Sequence, residues 1–155
     1  MQRVLVTGMS GVGKSTVAAR LSELGYKAVD TDDGDFSEVD ERGRNRWNVD
    51  RIRELLANED VDVLFVVGTD ERQMLFGFDH VVLLSAPRDV VAERLSSRTN
   101  NPFAGSSVER AEALADLDTF EPMLRRAADH EVDTSKPLDD VIDEVLTLVS
   151  QPPSP

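Results

Sequence analysis

Short apolar runs alternate with stretches of helical periodicity along the chain. Five runs have the length and apolar content of buried strands; they cover residues 3–7, 27–30, 61–67, 80–85 and, more weakly, 130–133. The clearest helix is the last one, where apolar residues form a single stripe: Leu138, Val141, Ile142, Val145, Leu146 and Val149. This alternation predicts an α/β fold in which a parallel sheet has helices on both faces.

Two more helices are predicted between the later strands, over residues 87–97 and 107–129. Pro122 should interrupt the second of them, because proline has no amide proton for the helix ladder. Residues 1–150 are therefore predicted to form a single domain. Residues 151–155 contain three prolines and are expected to form a disordered tail.

The sequence Gly-Met-Ser-Gly-Val-Gly-Lys-Ser at residues 8–15 fits the pattern G-x-x-x-x-G-K-[ST] at every fixed position. A predicted strand precedes it, and a helix with Val17 and Leu21 on one side follows. Glycines let successive amides turn toward one centre, so the motif predicts a cradle for a polyphosphate such as that of ATP. Lys14 should neutralise the outer phosphates, and Ser15 should supply a hydroxyl ligand to the Mg²⁺ that ATP carries. The predicted nucleotide-binding residues of the loop are Gly8, Ser10, Gly11, Val12, Gly13, Lys14, Ser15 and Thr16.

Charge narrows the choice of partner. Thirty acidic against seventeen basic residues give a formal charge of -13, and such a surface repels phosphate backbones and anionic lipid. Nucleic-acid and membrane partners are therefore not expected, whereas a small-molecule phosphoryl acceptor is expected.

The chain has no cysteine, which excludes disulfides, thiolate metal sites and thiol nucleophiles. A cytoplasmic location is therefore expected. The oligomeric state is left open between a monomer and a homodimer.

Two acidic positions follow the predicted second strand, in the sequence Ala-Val-Asp-Thr-Asp-Asp at residues 28–33, and an Arg-x-x-x-Arg follows the fourth strand at residues 94–98. With the phosphate loop, these features make residues 4–149 resemble the nucleoside-monophosphate and shikimate kinases. The resemblance implies a three-layer α/β/α sandwich with a five-stranded parallel sheet of order 2-3-1-4-5. It also implies that Asp30 assists the metal and that Asp32 holds the acceptor's hydroxyls during catalysis. The alternative for both aspartates is an ordinary acidic turn.

The two arginines are spaced so that both guanidinium groups lie on one face of a helix. By resemblance to adenylate-kinase-like enzymes, Arg94 would stack on the adenine and Arg98 would reach the transferring phosphates. The alternative is an ordinary surface mixture of Glu and Arg. The same resemblance implies a short lid at residues 99–107, which has no lysine or arginine of its own. Further positive charge would have to arrive on lid closure from Arg110, Arg125 or Arg126.

The sequence Glu-Val-Asp-Thr-Ser-Lys-Pro at residues 131–137 resembles the loop that borders the adenine in these kinases. That resemblance implies nucleotide contacts for Ser135, Lys136 and Pro137. On its residues alone, the segment predicts equally well the start of a helix, with Thr134 or Ser135 as its cap.

Two departures from these families bear on the acceptor. The third strand ends in Gly68-Thr69-Asp70, in place of the adenylate-kinase Asp-Gly-x-Pro-Arg or the shikimate-kinase triple glycine. Phe120 stands where shikimate kinases have an arginine, so the carboxylate of shikimate would lose a charged partner. Gly68 and Thr69 should lie at the carboxyl edge of the sheet and are predicted to bind the acceptor. Asp70 either orients the acceptor hydroxyl or the metal's water, or caps the next helix.

Residues 31–48 are too long for a simple connection and are expected to be functional or mobile. The wider segment 32–53 is the predicted acceptor wall. It holds the single tryptophan, Trp47, and five arginines: Arg42, Arg44, Arg46, Arg51 and Arg53. This composition favours an acceptor that is anionic or carries a base, with Arg46 as a ligand. Alternatively, Arg51 and Arg53 pair with neighbouring carboxylates on a solvated helix while Trp47 anchors that helix to the core.

Together these features predict an ATP-dependent small-molecule kinase that moves the γ-phosphoryl group of Mg-ATP to a nucleoside, nucleotide or similar metabolite. Lys14, Arg94, Arg98 and Asp32 are its predicted catalytic residues. The alternatives are a regulatory nucleotide-binding ATPase module and a shikimate- or gluconate-type kinase. A polynucleotide kinase is disfavoured by the acidic charge. His80 and His130 should lie on the edge of the sheet away from the ligand, and no role is assigned to them.

Overall fold

Seven strands and five helices occupy the part of the chain that a computed structural model describes, residues 2–43, 45–58, 60–97 and 107–150. The strands are β1 (Gln2–Thr7), β2 (Lys27–Asp30), β3 (Ser37–Val39), β4 (Asn45–Trp47), β5 (Val63–Val67), β6 (His80–Ser85) and β7 (His130–Asp133). The helices are α1 (Lys14–Glu23), α2 (Val49–Ala57), α3 (Arg88–Ser97), α4 (Ser107–Ala127) and α5 (Leu138–Ser150). The predictions for Arg44, Arg98, lid residues 99–106 and the tail 151–155 lie outside the described residues.

β1 lies at the centre of a five-stranded parallel sheet with the order β2-β5-β1-β6-β7. In its register, Val4 is opposite Phe65 of β5 on one side and His80 of β6 on the other. When only the five strands of this sheet are numbered along the chain, the order is 2-3-1-4-5, as predicted. Because the strands are parallel, the loops that follow β1, β2, β5 and β7 all begin at the same edge of the sheet.

Side chains alternate between the two faces of β1, so each face of the sheet has its own core. Val4 and Val6 lie in a large apolar cluster with residues of α1, such as Leu21, and of α5. Leu5 points to the opposite face, into a smaller cluster that contains Trp47. Helices therefore cover both faces, which confirms the three-layer α/β/α sandwich.

α4 runs without a break through Pro122, so the predicted interruption is wrong. Pro122 and Asp118, whose carbonyl would accept the missing amide bond, are both exposed. Water can therefore take the place of the absent donor, and the helix continues. In the described part of the chain, no helix is both long enough and apolar enough to cross a membrane.

The polar segment 31–48 forms regular structure instead of an open loop. A 3-10 turn at Gly34–Phe36 leads into an antiparallel hairpin of β3 and β4. The amide of Asn48 donates to the carbonyl oxygen of Phe36 at 2.8 Å, which closes the hairpin at its base. The third strand of the sheet, β5, begins at Val63, two residues later than predicted, because the chain bends before it.

Candidate active site

The phosphate loop connects β1 to α1 at the carboxyl edge of the sheet. Gly13 has a φ of 97°, in the left-handed region that residues with side chains rarely adopt. It occupies the cap position of α1 and makes no side-chain cap bond. The first amides of the helix are therefore open to an anion, which is the arrangement of a phosphate site.

Lys14 reaches back across this loop. Its Nζ donates to the carbonyl oxygen of Gly8 at 2.5 Å and to Oγ1 of Thr69 at 3.2 Å. Thr69 follows β5, and its hydroxyl donates to the same Gly8 carbonyl at 2.6 Å. The predicted residues Lys14 and Thr69 are thus brought together, and a positive charge is held where the phosphate loop meets the neighbouring strand.

Ser15 and Asp30 also come together, at the end of β2. The Ser15 hydroxyl donates to Oδ2 of Asp30 at 2.9 Å, and the Asp32 amide donates to Oδ1 at 3.0 Å. Hydroxyl and carboxylate oxygens are the ligands that Mg²⁺ prefers, so this pair fits an ion brought in by nucleotide phosphates. Among the residues that the structure describes, no cluster of three or more His, Cys, Asp or Glu forms a separate metal site.

A buried row of hydrogen bonds, here named the polar chain, runs from Thr69 through Thr7 and Gln73 to Asp70. The hydroxyls of Thr69 and Thr7 are 3.0 Å apart, and Thr7 donates to Oε1 of Gln73 at 3.1 Å. The amide of Asp70 donates to the same oxygen at 3.2 Å. Thr7 and Gln73 are 0% and 2% exposed, so water does not compete for these bonds.

Asp70 ends the polar chain and anchors the β3–β4 hairpin. Its Oδ2 accepts the amide of Trp47 at 2.8 Å, while Oδ1 accepts the amide and the Nε of Arg72 at 2.9 and 3.1 Å. Burial alone raises the pKa of the carboxyl, but the hydrogen bonds from the Arg72 side chain and from the two amides outweigh burial and hold the pKa below its ordinary value. The carboxylate therefore anchors Trp47 and Arg72. It does not cap the next helix as the alternative prediction had it, because the 3-10 helix at Gln73–Phe76 has Arg72 as its cap residue and no side-chain cap bond.

Arg94 binds the backbone of the phosphate loop. Nη1 donates to the carbonyls of Gly11 and Val12 at 3.3 Å each and to Oγ1 of Thr134 at 2.9 Å, and Nη2 donates to the carbonyl of Thr134 at 2.6 Å. Both terminal nitrogens are thus engaged by the protein. Contact with an adenine would use the flat face of the guanidinium group, which is compatible with the predicted stacking.

Thr134 ties the loop after β7 to the phosphate loop. It is 7% exposed, its hydroxyl donates to the carbonyl of Val12 at 2.6 Å, and its amide donates to the carbonyl of Ser85 at 2.7 Å. The alternative prediction of Thr134 as a helix cap is wrong, because α5 begins only at Leu138 and the hydroxyl is bonded elsewhere. Thr134 instead fixes the loop that should border the adenine.

The next residues of this loop are bonded within the protein. The hydroxyl of Ser135 donates to Oδ1 of Asp133 at 2.7 Å, which makes a tight turn rather than a helix cap. Lys136 forms an ion pair with Glu144 of α5, and Pro137 directly precedes that helix. Nucleotide contacts of Ser135, Lys136 and Pro137 stay a prediction.

A cleft of about 1230 Å³ opens between the phosphate loop, the β3–β4 hairpin and α4. Part of its lining is apolar and includes Phe120 and Met123, which are 45% and 58% exposed. Another part is charged and includes Arg46 and Glu71, whose Nη2 and Oε2 are 3.8 Å apart. Thr69 lines the cleft as well, next to Lys14. The cleft therefore adjoins the phosphate loop beside Lys14.

The predicted arginine wall is divided in the structure. Arg42 and Arg46 line the cleft. Arg51 lies on α2 and forms an exposed ion pair with Glu54 at 3.5 Å, as the alternative prediction has it, and Arg53 is exposed on the same helix. Of the wall residues that the structure describes, the two on the hairpin are therefore the ones in position to meet an acceptor.

Trp47 is a core residue, so it is not the stacking partner that the composition of the acceptor wall favoured. It is 2% exposed, lies 5.7 Å from Phe76 between ring centroids, and donates Nε1–H to Oγ1 of Thr31 at 3.0 Å. Trp47 shares its buried cluster with Ile52 and Leu56 of α2, which agrees with the alternative prediction that Trp47 anchors that helix to the core.

Two residues predicted to bind the acceptor, Asp32 and Gly68, lie outside the lining of the cleft. Gly68 is buried beneath Thr31, and a Cβ added to it would be 2.0 Å from the Thr31 hydroxyl oxygen. Close packing therefore requires a glycine at this position. Asp32 is exposed at the end of β2, and its contact with an acceptor stays a prediction.

Two of the three arginines expected to move toward the phosphates, Arg110 and Arg125, have partners elsewhere. Arg125 donates to Glu131 at 2.7 Å and to Glu121 at 3.0 Å, and its hydrogen bond holds the pKa of Glu131 below the ordinary value. Arg110 donates to Oγ of Ser96 at 3.2 Å. For either arginine to reach a nucleotide, these bonds would first have to break.

Thr7 and Gln73 were not predicted as site residues, and Thr134 was predicted only as a possible helix cap. Threonine is common in strands, so a buried hydroxyl leaves no pattern of its own. The available signal was position, because Thr7 and Thr134 both stand where a strand of the sheet meets a loop at its carboxyl edge.

Comparison with known proteins agrees with this geometry. The protein named "Putative adenylate kinase" from Thermococcus kodakarensis is 33% identical, with 94% of this chain and 84% of that protein aligned. Shikimate kinase 2 from Yersinia enterocolitica is 28% identical, with 96% of each chain aligned. The structure of shikimate kinase from Acinetobacter baumannii in complex with shikimate has a TM-score of 0.66 at 20% identity, over 96% of this chain and 93% of that one, and therefore shares the fold.

A family model described as an AAA domain matches residues 4–115, from β1 into α4. The matched region includes the phosphate loop, Asp30, the polar chain and Arg94. The chain therefore belongs to the AAA_18 family of AAA domains and, among phosphate-loop proteins, to the group of small-molecule kinases that includes the adenylate and shikimate kinases.

Proposed function

We propose that the protein is an ATP-dependent phosphotransferase that moves the γ-phosphoryl group of Mg-ATP to a small-molecule acceptor, a nucleoside, nucleotide or similar metabolite. The main support is the position of the Lys14 ammonium group, which bonds both to Gly8 of the phosphate loop and to Thr69 of the adjoining cleft. Transfer of an anionic group between two sites calls for a cation at their junction. The kinase relatives support the same reaction.

On the donor side, the loop amides and the N-terminus of α1 would hold the phosphates, and Lys14 would turn from Gly8 to the outer ones. Ser15 and Asp30 would hold Mg²⁺, which would neutralise part of the phosphate charge. Arg94 would keep the loop in shape through Gly11, Val12 and Thr134. Arg98 is proposed to meet the transferring phosphate.

The proposed step is an in-line displacement. A lone pair of the acceptor oxygen forms a bond to the γ-phosphorus, while the bond to the oxygen that bridges to the β-phosphate breaks and that oxygen keeps the electron pair in ADP. The acceptor proton passes to water or to the carboxylate of Asp32, which is proposed to hold the acceptor's hydroxyl. Lys14 and Arg98 stabilise the charge, so the contribution of the protein is positional and electrostatic.

The lining of the cleft supports an acceptor that has a flat apolar part and a polar or anionic part. Phe120 and Met123 offer apolar surface to a base, and Arg46 offers a planar donor to a phosphate or hydroxyl. A sugar acid would meet Phe120 where a charged partner would be needed. Nucleosides and nucleotides are therefore favoured over shikimate and gluconate.

Lys14→Ala tests the proposal. The measurement is ADP production with a panel of nucleosides, nucleotides and sugar acids, and the variant should be slower by about 10²-fold or more because a cation that stabilises the transition state is lost. Lys27→Ala is the matched control, because Lys27 pairs with Asp60 at 3.2 Å, on the strand end opposite the loop. It should keep wild-type activity. Undiminished transfer by Lys14→Ala, or an acceptor panel that never raises ADP production in the wild type, would contradict the proposal.

A further inference from the structure

The polar chain joins the donor loop to the acceptor-side hairpin through buried bonds. On one end, Thr69 bonds to Lys14 and to Gly8. On the other end, Asp70 accepts the amide of Trp47 in β4 at 2.8 Å. We propose that Thr7, in the middle, is a positioning residue that couples occupancy of the phosphate loop to the position of the β3–β4 hairpin. This inference rests on the proposed nucleotide binding.

The direction of each hydrogen bond follows from counting protons. Oε1 of Gln73 can only accept, so the single hydroxyl proton of Thr7 points to it. The contact between the two hydroxyls, at 3.0 Å, must therefore use the proton of Thr69. That proton also faces the carbonyl oxygen of Gly8 at 2.6 Å. Thr69 thus shares one proton between Thr7 and the phosphate loop.

A bound nucleotide changes this balance. In the structure, the Gly8 carbonyl accepts from Lys14 as well as from Thr69. When Lys14 turns to the phosphates, Gly8 loses that donor and draws the Thr69 proton away from Thr7. The change at Thr7 then reaches Asp70 through Gln73. Bulk solvent does not compete for these hydrogen bonds, since Thr7 and Gln73 are 0% and 2% exposed.

The hairpin at the far end carries residues of the acceptor cleft. Arg46 precedes Trp47 in β4 and lines the cleft. Trp47 is held at both backbone groups, because its amide donates to Asp70 and its carbonyl accepts Nη2 of Arg72 at 2.7 Å. A shift of Asp70 therefore moves Trp47 and Arg46 together, so donor binding adjusts the acceptor site.

Trp47 is the single tryptophan of the chain, so its intrinsic fluorescence reports on the position of the β3–β4 hairpin. Trp47 fluorescence is recorded while Mg-ADP is added to the wild type and to two variants. Thr7→Val removes the hydroxyl at nearly constant side-chain volume, and Thr7→Ser keeps the hydroxyl. Calorimetry measures the affinity for Mg-ADP in parallel. Gln73→Met removes the next bond of the chain and serves as a second variant. Leu75→Ala, which is 80% exposed in the wild type and outside the polar chain, is the control.

The wild type, Thr7→Ser and Leu75→Ala should show the same fluorescence change. Thr7→Val and Gln73→Met should lose most of the fluorescence change, while their dissociation constants for Mg-ADP stay within about threefold of the wild-type value. A threefold change is smaller than the roughly fivefold change in affinity at the lower end of typical allosteric couplings. A full response in a folded Thr7→Val or Gln73→Met, or Mg-ADP binding to the wild type with no response, would overturn the coupling and leave the proposed function intact. Absence of Mg-ADP binding in the wild type would overturn both.

Discussion

At the scale of single residues, threonine hydroxyls fix the parts of the site relative to one another. Thr7 ends β1, Thr69 follows β5 and Thr134 follows β7, and each bonds to the backbone of the phosphate loop or to a residue that does. Lys14 and Ser15 could be predicted because the loop motif fixes their spacing. The threonines could not, since their partners lie 40 or more residues away in the chain.

Asp70 provides a prediction for the effect of pH on stability. Its pKa is lower in the folded than in the unfolded chain, so its contribution is fully present above about pH 4 and is lost as the pH falls through the folded-state pKa. Asp70→Asn should therefore lower the free energy of unfolding by roughly 1.5 to 3 kcal/mol at pH 7, the value of hydrogen bonds to a buried charge.

Urea unfolding at several pH values measures this difference. The gap in the free energy of unfolding between the wild type and Asp70→Asn should narrow only below about pH 4, where protonation of Asp70 in the unfolded chain begins and the contribution of the charged carboxylate is progressively lost. Asp116→Asn, an exposed site on α4, is the matched control and should have little effect at any pH. A gap that is constant down to pH 3 would show that the charge of Asp70 does not stabilise the hairpin anchor.

At the scale of elements, the β3–β4 hairpin and α4 decide the shape of the cleft beside the phosphate loop, and they are also where the sequence predictions were weakest. The hairpin strands have three residues each, with no alternating apolar pattern, so the sequence indicated only a long polar segment. The strands of the main sheet are mostly longer and more apolar, and their order was predicted correctly. Helix α4 was predicted to be interrupted because the unfavourable effect of Pro122 on local helix formation was given more weight than the packing of the whole helix.

Pro122→Ala tests this account of α4. An interior proline costs a helix about 3 kcal/mol, while its rigidity in the unfolded chain returns up to about 1 kcal/mol. The alanine variant should therefore be more stable by about 2 kcal/mol, measured by urea unfolding. Thr119→Ala, exposed in the same helix, changes helix propensity alone and should gain only about 0.5 kcal/mol. Equal gains in the two variants would mean that the helix already accommodates the proline without loss.

At the scale of the whole molecule, a strongly acidic chain is proposed to bind an anionic nucleotide. The formal charge is -13, yet the amides before α1 and the Lys14 ammonium group form a local positive site. The two fields differ in range, because the local one acts at contact distance whereas the global one is felt at about a Debye length, roughly 10 Å at 0.1 M salt. Composition alone therefore predicted the absence of polynucleotide partners, and the loop motif predicted the bound phosphate.

These two ranges can be separated by the rate of nucleotide binding. If the global charge opposes the approach of Mg-ADP, screening by salt should speed association, by about twofold or more between 10 and 150 mM NaCl. Stopped-flow mixing with a fluorescent ADP analogue measures this rate, and sucrose at equal osmolarity controls for effects other than screening. Glu112→Lys, an exposed change on α4 that brings the net charge from -13 to -11, should flatten the salt dependence. An association rate that falls with salt would mean instead that the phosphate loop and its neighbouring arginines dominate the field along the whole approach, and that the acidic surface has no part in selecting the ligand.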